Sequence, residues 1–422
     1  MKLNKLLLAL AASGIATSAF ATNGYFAHGI GVKAKAMGGA SIAFAEDGFG
    51  AASNPANLAQ ANDGYSVGVS AFNPDRGISS SSTSGAYIGP NVDKNGNETS
   101  LFAIPEFAYV KTHNDKIKYG VVVYGNGGMN VEYAGLVYDS STRTSTNLEQ
   151  LIIAPTVSYK LDDKNTLAAS VNVIYQTFEA TGLNMFTCYT GSGNCSTGAG
   201  VANPGGYGVD DSMGVGVKLG WTGKLSDTLT GGAYYQPKTS MDKFSAYKYL
   251  FAQAGGFDIP ETYGAGVAIK ANPKTTVALD VVQINYSGIK SLANPNNHNY
   301  ANTILGAEDG KGFGWKDMTV YKLGVAHQMD ANTTIRAGWN YGKQPISLDQ
   351  LDFNVLAPAV VEHHFTAGLT RVLDKNSDVS LHAMYAPKVT LTGPVVSGTG
   401  TYHMDQLKMS QYEVGVQYSK KF

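Results

Sequence analysis

Apolar and polar positions alternate strictly from about residue 64 to the last residue, most clearly at the end of the chain. In Tyr412-Glu413-Val414-Gly415-Val416-Gln417-Tyr418-Ser419-Lys420-Lys421-Phe422, positions Tyr412, Val414, Val416, Tyr418 and Phe422 share one face, and mostly polar or small residues occupy the other. Period two identifies a strand with two different sides. Apolar residues toward lipid, polar residues toward a lumen and aromatics where bilayer meets water make a transmembrane barrel strand. Matching segments predict strands over 64–73, 101–113, 116–130, 148–161, 165–180, 209–224 and 228–244 in the first half. In the second half they fall at 258–272, 275–288, 315–329, 333–345, 360–372, 377–391 and 408–422, for about fourteen in all, an even number as a single-chain barrel requires.

The connections alternate too. Short polar turns are expected at His113-Asn114-Asp115-Lys116, Asp162-Asp163-Lys164-Asn165, Asn272-Pro273-Lys274, Asp330-Ala331-Asn332 and Asp374-Lys375-Asn376, with long, varied loops between them. Short turns at one end and long loops at the other are the asymmetry of an outer-membrane barrel. A soluble sandwich or propeller explains the alternation but not this rhythm.

Residues 22–58 do not alternate. They are rich in Gly and Ala and read as a compact, partly helical piece, a hatch over 22–62 set before a barrel over 63–422. Gly38-Gly39 and the alanines of 34–45 allow backbone to approach backbone, Asp47, Asn54 and Asn57 offer caps and turn bonds, and Pro55 fixes a bend. Ahead of this piece, Lys2 and Lys5, the apolar run 6–12 and the small-residue pattern Ala19-Phe20-Ala21 read as a secretory signal peptide over 1–21. No stretch reaches the roughly 20 apolar residues of a spanning helix.

Composition agrees with this reading. Fifty Gly, 25 Tyr and 16 Phe with only 15% charged residues fit an aromatic-rich β-protein rather than a helical enzyme. Without Lys2 and Lys5, 29 basic residues face 32 acidic ones, a net charge near −3, which argues against a nucleic-acid partner. Cys188 and Cys195, the two cysteines, lie close together in a Gly/Ser/Asn stretch of an exported chain, and a local disulfide is expected. Their spacing does not suit a zinc site, and no metal or cofactor is expected.

The ordered motifs Asn23-Gly24-Tyr25-Phe26-Ala27-His28-Gly29, Met37-Gly38-Gly39-Ala40 and Asn54-Pro55-Ala56 continue in Ala154-Pro155-Thr156-Val157-Ser158-Tyr159-Lys160-Leu161 and Tyr235-Gln236-Pro237-Lys238-Thr239. With Ile259-Pro260-Glu261, Trp315-Lys316-Asp317 and Arg336-Ala337-Gly338-Trp339 they resemble the FadL/TodX outer-membrane transporters of long-chain fatty acids and other hydrophobic compounds. The resemblance implies a fourteen-stranded barrel in the bacterial outer membrane, plugged by an N-terminal hatch, with substrate leaving sideways through the wall. It implies passive uptake by a non-enzyme. The expected partners are a hydrophobic small molecule, the lipid bilayer with its lipopolysaccharide and the outer-membrane assembly machinery, and the expected state is a monomer. The C-terminal Phe422 resembles the assembly signal of such barrels.

Candidate site residues follow from chemistry. The aromatic segment 244–257, with Tyr247, Tyr249, Leu250, Phe251 and Phe257, is too apolar for a solvated loop: it would form an external capture surface, joined by Phe26, or pack against a neighbouring loop or sit in the lipopolysaccharide layer. Phe186 and Tyr189, near the cysteines, would supply its other wall. Alternation turns Lys218, Lys322 and Arg336 into the lumen, where they could hold a substrate carboxylate or simply pair with inward acids such as Asp280 or Glu179. Gly125-Asn126-Gly127-Gly128 marks a bulge or bend, and by the resemblance Gly125, Gly127 and Gly128 mark the lateral opening.

A barrel lipase or protease and a general porin are the competing functions. Glu362-His363-His364 is the one candidate for catalysis, but adjacent strand residues face opposite ways, and no Gly-x-Ser-x-Gly elbow is present. An open porin would leave the hatch without a purpose.

Overall fold

A computed structural model describes residues 22–81, 92–135, 137–138, 143–183, 205–296, 304–396 and 402–422. The expected signal peptide and the Cys188 and Cys195 loop, with Phe186 and Tyr189, lie outside the described residues. Among the described residues the strands are β1 (Gly64–Ser80), β2 (Asp93–Asn95), β3 (Phe102–Thr112), β4 (Ile117–Glu132), β5 (Ser145–Lys160), β6 (Asn165–Thr181), β7 (Asp210–Lys224) and β8 (Leu229–Gln236). There follow β9 (Thr262–Asn272), β10 (Thr275–Ile284), β11 (Met318–Asp330), β12 (Thr333–Gly342), β13 (His363–Asp374), β14 (Ser377–Val396) and β15 (Tyr402–Lys421). All pair antiparallel with their neighbours, and β15 returns to β1 from Gly64↔Lys421 to Ser80↔Asp405, which closes a ring of fourteen strands. Short β2 stands outside that count, pairing only with the far end of β1. No described helix is long and apolar enough to cross a membrane.

Each short turn is locked by a side chain at its start. Asn114 accepts from the N–H groups of Lys116 and Ile117, Asp162 from Lys164 and Asn165, and Ser226 from Thr228 and Leu229. Asn272, Asp330 and Asp374 each accept from the N–H two residues on. A polar residue that can mimic a backbone turn is what a tight hairpin needs. The long loops all leave from the other end of the barrel.

Alternation sets the faces as expected. Val215, Val217 and Leu219 of β7 are 66%, 45% and 52% exposed on the lipid side, whereas Lys218 between them is 8% exposed inside. The predicted strand over 228–244 ends at Gln236 because Pro237 has no N–H for the ladder. The chain then folds over the mouth, held where Thr239 and Ile259 exchange backbone hydrogen bonds of 3.0 Å. Conversely, β14 and β15 run several residues past their expected outer ends, as does β1.

The ring encloses residues 22–62, built from α1 (Val32–Lys35), α2 (Gly50–Ser53) and a 3-10 turn over Pro55–Gln60. The segment lies directly on wall backbone where inward positions are glycine. A Cβ on Gly220 would strike Asn54 and Pro55, one on Gly324 Met37, one on Gly338 the amide of Gly38, and one on Gly368 Ala36. Within the segment Gly38 and Gly39 take positive φ, and a side chain at Gly39 would overlap the His28 carbonyl.

Asn54 ties this segment together and to the wall. Its Nδ2 donates to the carbonyls of Ile42 (2.8 Å) and Trp221 (2.9 Å), and its Oδ1 caps the 3-10 turn at the Ala56 N–H (3.1 Å). Asn54→Ala leaves two buried carbonyls and one N–H without these partners, at about 1–3 kcal/mol for each unsatisfied group. We expect faster amide hydrogen exchange over 41–60 by at least about tenfold, with the strands unchanged, read by mass spectrometry on the purified barrel.

Candidate functional site

Strand β3 stays with β1 but leaves β4 early. The β3–β4 pairing runs from Thr112↔Lys118 to Phe107↔Val123, whereas β3 follows β1 as far as Phe72↔Phe102. Past Val123, β4 continues to Glu132 along β5 without β3 beside it. Within this stretch the register to β5 shifts at Gly125-Asn126-Gly127-Gly128, where Gly125 opposes Leu151 and Gly127 opposes Gln150. The sheet therefore has a slot on the β3 side of β4.

Backbone from the N-terminal segment fills the slot's inner side. The Ala27 N–H donates to the Asn126 carbonyl (2.9 Å), the Gly128 N–H donates to the Tyr25 carbonyl (3.0 Å), and Phe26 bridges to Gly127. A Cβ at Gly127 would overlap the Tyr25 carbonyl, so this edge accepts backbone only where β4 is glycine.

Arg76 frames the outer rim. Its guanidinium reaches from β1 across the missing pairing to β4, where Nη1 donates to the Asn130 carbonyl (2.6 Å) and to Asn130 Oδ1 (2.8 Å). Its Nη2 donates to the Thr99 carbonyl and its backbone N–H to Asn97 Oδ1 (2.8 Å). Beside it, Glu132 exchanges backbone hydrogen bonds of 3.2 Å with Gly96 and Glu98. Arg76 lies beyond the strand expected over 64–73, directly after Asn73-Pro74-Asp75, so alternation gives it no face and nothing local marks it as buried.

Rings connect the slot to the outer loops. Tyr25 stacks on Phe26 at 4.8 Å and lies 5.6 Å from Tyr286 and 6.0 Å from Phe257; Phe257 lies 4.9 Å from Phe251, which meets Phe178 at 4.7 Å. One apolar cluster runs from Leu250, Phe251 and Trp315 through Tyr25 to Ile104 and Val131 beside the slot. Of the two readings of this segment, packing against neighbouring loops is the one its burial fits. Tyr247, Leu250, Phe251 and Phe257 are buried, and only Tyr249 is half-buried, because they pack against neighbouring loops and β6 rather than water. Local aromatic density cannot tell a loop core from an exposed patch.

The three lumen cations face inward as their alternation implies, and each engages the N-terminal segment. Lys218 Nζ donates to the Ala52 carbonyl (2.8 Å), and Lys322 Nζ donates to the His28 carbonyl (3.0 Å). Arg336 forms two 2.7 Å hydrogen bonds with Glu46 and a third with Thr370. Burial opposes the Glu46 carboxylate, but the Arg336 charge outweighs it and holds Glu46 below its usual range. Asp280 is an inward acid, accepting from the N–H groups of Ser41 (2.7 Å) and Ile42 (3.0 Å). Glu179 is not: it alternates with buried Phe178 and Ala180 and so turns to the outer side of β6.

Behind Phe26 is a cavity of about 90 Å³, lined by Phe26, Ala27, Asn126, Lys218, Tyr234 and Lys322 among others. Apolar surface and two ammonium groups meet there, and the Lys218 ammonium also sits 5.0 Å from the centre of the Tyr234 ring. Asn54, Pro55 and Ala56 lie away from the slot, under β7. His363 and His364 separate as expected: His364 is buried in the lumen, while His363 stacks outside on Tyr341 at 4.7 Å.

The family described as outer membrane protein transport protein (OMPP1/FadL/TodX) matches residues 8–422. Among solved structures, the toluene transporter TodX of P. putida is 20% identical with a TM-score of 0.66, covering 94% of this chain and 99% of its own. The toluene transporter TbuX of Ralstonia pickettii is 19% identical at a TM-score of 0.66, with 94% and 99% covered. A FadL homologue of Pseudomonas aeruginosa is 15% identical at 0.68, with 94% and 100% covered. At these identities the likeness shows a shared fold. No curated protein sequence matches.

Arg76→Met removes a buried charge-assisted clamp and is expected to cost about 2 kcal/mol locally, roughly thirtyfold in opening. Amide exchange should accelerate over 128–132 and stay unchanged in β8 and β9. Arg76→Lys should restore little, because a single ammonium cannot serve Thr99 and Asn130 together.

Proposed function

The chain belongs to the outer membrane protein transport family (OMPP1/FadL/TodX), and from that premise we propose passive uptake of hydrophobic small molecules with lateral release through the slot beside β4. The observation that carries this reading is the continuous apolar cluster joining the outer loops to Tyr25, Ile104 and Val131 at the slot. A hydrocarbon gains nothing from a water-filled pore and moves better between apolar pockets. The buried aromatics Tyr247, Leu250, Phe251 and Phe257, with Tyr249, then line an entry that opens between loops. Residues 22–62 act as a hatch. Withdrawal of Tyr25 and Phe26 from Gly127 and Gly128 would free both the slot and the cavity behind Phe26.

For a substrate with a carboxylate, Lys218 and Lys322 are the anchors we favour, since both line that cavity. Arg336 is committed to Glu46 and holds the hatch instead. A fatty acid or aromatic acid would exchange a hatch carbonyl for its own charge, a stronger partner for an ammonium.

Two measurements test this proposal. Gly127→Leu should abolish the protein-dependent uptake of a radiolabelled long-chain fatty acid or toluene by cells carrying the protein in a lipopolysaccharide-containing outer membrane, while the barrel keeps its heat-modifiable gel mobility; undiminished uptake would sink lateral release. Native mass spectrometry of the purified protein should find a bound amphiphile or hydrocarbon, and Lys218→Met should weaken retention of a carboxylate amphiphile about tenfold against its methyl ester. Large, steady ion conductance of the intact protein in a planar bilayer would favour a general porin.

A further inference from the structure

The hatch meets the wall at one cluster that transport itself does not use. His28, two residues after Phe26, projects between β13, β14 and β15, where it meets His364, His382 and Glu413. Its ring stacks parallel to His364 at 6.0 Å and lies 6.4 Å from His382, and its Nδ1 is 3.8 Å from Glu413 Oε2. His382 Nε2 is 3.3 Å from Glu413 Oε1. Lys35 of α1 closes the cluster, 2.9 Å from Glu413 and 3.1 Å from Glu106 of β3, and also donates to Ser70 of β1. All six of these titratable side chains are at most 4% exposed. Lys322, on the His28 carbonyl, and Asp280 beyond it are the next charges.

The charges and the burial pull in different directions. Two carboxylates surround one ammonium, and the three imidazoles beside them are out of reach of water. Burial opposes the Lys35 charge, but Glu106 and Glu413 outweigh it and keep Lys35 protonated. For His28 burial prevails over the attraction of Glu413, and Lys35 and the other two imidazoles add to it, so the ring stays neutral to well below its ordinary range. Glu413 cannot readily serve an imidazolium as well, because Lys35 already holds it. An imidazolium needs water, and His28 can reach water only if residues 27–29 leave the wall.

We propose that His28, His364 and His382 form a proton-operated latch on the hatch: shut while all three rings are neutral and released when they are protonated. The backbone supplies the coupling. Ala27 precedes His28 and donates to Asn126 at the slot, so drawing His28 off β13–β15 also strips Tyr25 and Ala27 from β4. The sign follows from linkage. The shut state holds these imidazoles uncharged, so their contribution to keeping the hatch shut is complete above about pH 6.5 and is lost as pH falls below it. Each proton taken up only by the released state moves the balance by up to about tenfold per pH unit. Of the carboxylates at the other contacts of the hatch, Glu46 is held below its usual range by Arg336, whereas burial pushes Asp47 up, so the His28→Gln comparison is what separates the imidazoles from it.

This proposal rests on reading residues 22–62 as a hatch, and its test reads hatch motion rather than uptake. A failure of transport therefore does not decide it, nor does its failure decide transport. Amide hydrogen exchange of the full-length protein in detergent, corrected for intrinsic rates, is compared at pH 7.5 and 5.5 over 23–36 and over β7. The expected result is at least about tenfold loss of protection over 23–36 at pH 5.5, with β7 unchanged. His28→Gln, which alters no strand, should flatten this pH dependence, and His382→Gln should reduce it from the wall side. Equal or greater protection at pH 5.5, or an undiminished pH dependence in His28→Gln, overturns the latch.

Discussion

Inside a bilayer no water reaches the edge of a strand, so every N–H and carbonyl of the wall needs a partner within the protein. Most of this barrel meets that demand by closing on itself. Besides the upper half of β7, which β8 leaves beyond Leu219, the exception is the upper half of β4, which β3 abandons after Phe107. Its edge is tolerable because Tyr25 and Ala27 pair with it from inside and Arg76 caps its outer end. The glycines of the bulge, the position of the N-terminal segment and the buried arginine on β1 are thus one solution to one problem. An opening in the wall can exist only if something polar, and removable, is kept beside it.

The two halves of the lumen are held by different forces. Toward the outer loops the interior is apolar, with rings from Phe178 to Trp315 in contact. Around the hatch, cations and carboxylates of the strands reach its backbone and side chains: Lys218 to Ala52, Arg336 to Glu46, Asp280 to Ser41 and Ile42, and Lys33 to Asp378 at 2.9 Å. Apolar packing is lost outright when surfaces part without a replacement. Polar bonds can be exchanged for water at small net cost. Apolar packing also holds the hatch, with Ile30, Phe49 and Leu58 against Val110, Val122 and Ile152, so its proposed movement breaks contacts of both kinds.

The architecture was legible because a strand writes its two faces into every second residue. Val215, Lys218 and Leu219 announce their sides without any knowledge of neighbours, and Asp162 or Asp374 announces a turn from local chemistry alone. What could not be read was pairing across distance. Lys322 was visibly an inward cation, but that it meets the His28 carbonyl, 294 positions earlier in the chain, depends on how everything between them folds. His364, His382 and Glu413 each had the parity of a lumen residue, yet only the β13–β14–β15 register brings them around one hatch histidine. The two readings of Tyr247, Phe251 and Phe257 stayed open for the same reason. A dense aromatic run states that something apolar must cover it, not whether that cover is substrate or another loop.

The seam between β1 and β15 joins the first strand of the wall to the last, along seventeen residues of β1. No shorter portion of the chain can complete the ring, so closure waits until the final strand has arrived. Residues 22–62 continue directly into β1, and their bonds reach Lys218 of β7 one way around the ring and Arg336 of β12 and Lys322 of β11 the other way. They join β1 at the short-turn mouth, where Gly64 pairs with Lys421, so the piece inside the ring is tethered at the same place where the seam between first and last strand begins.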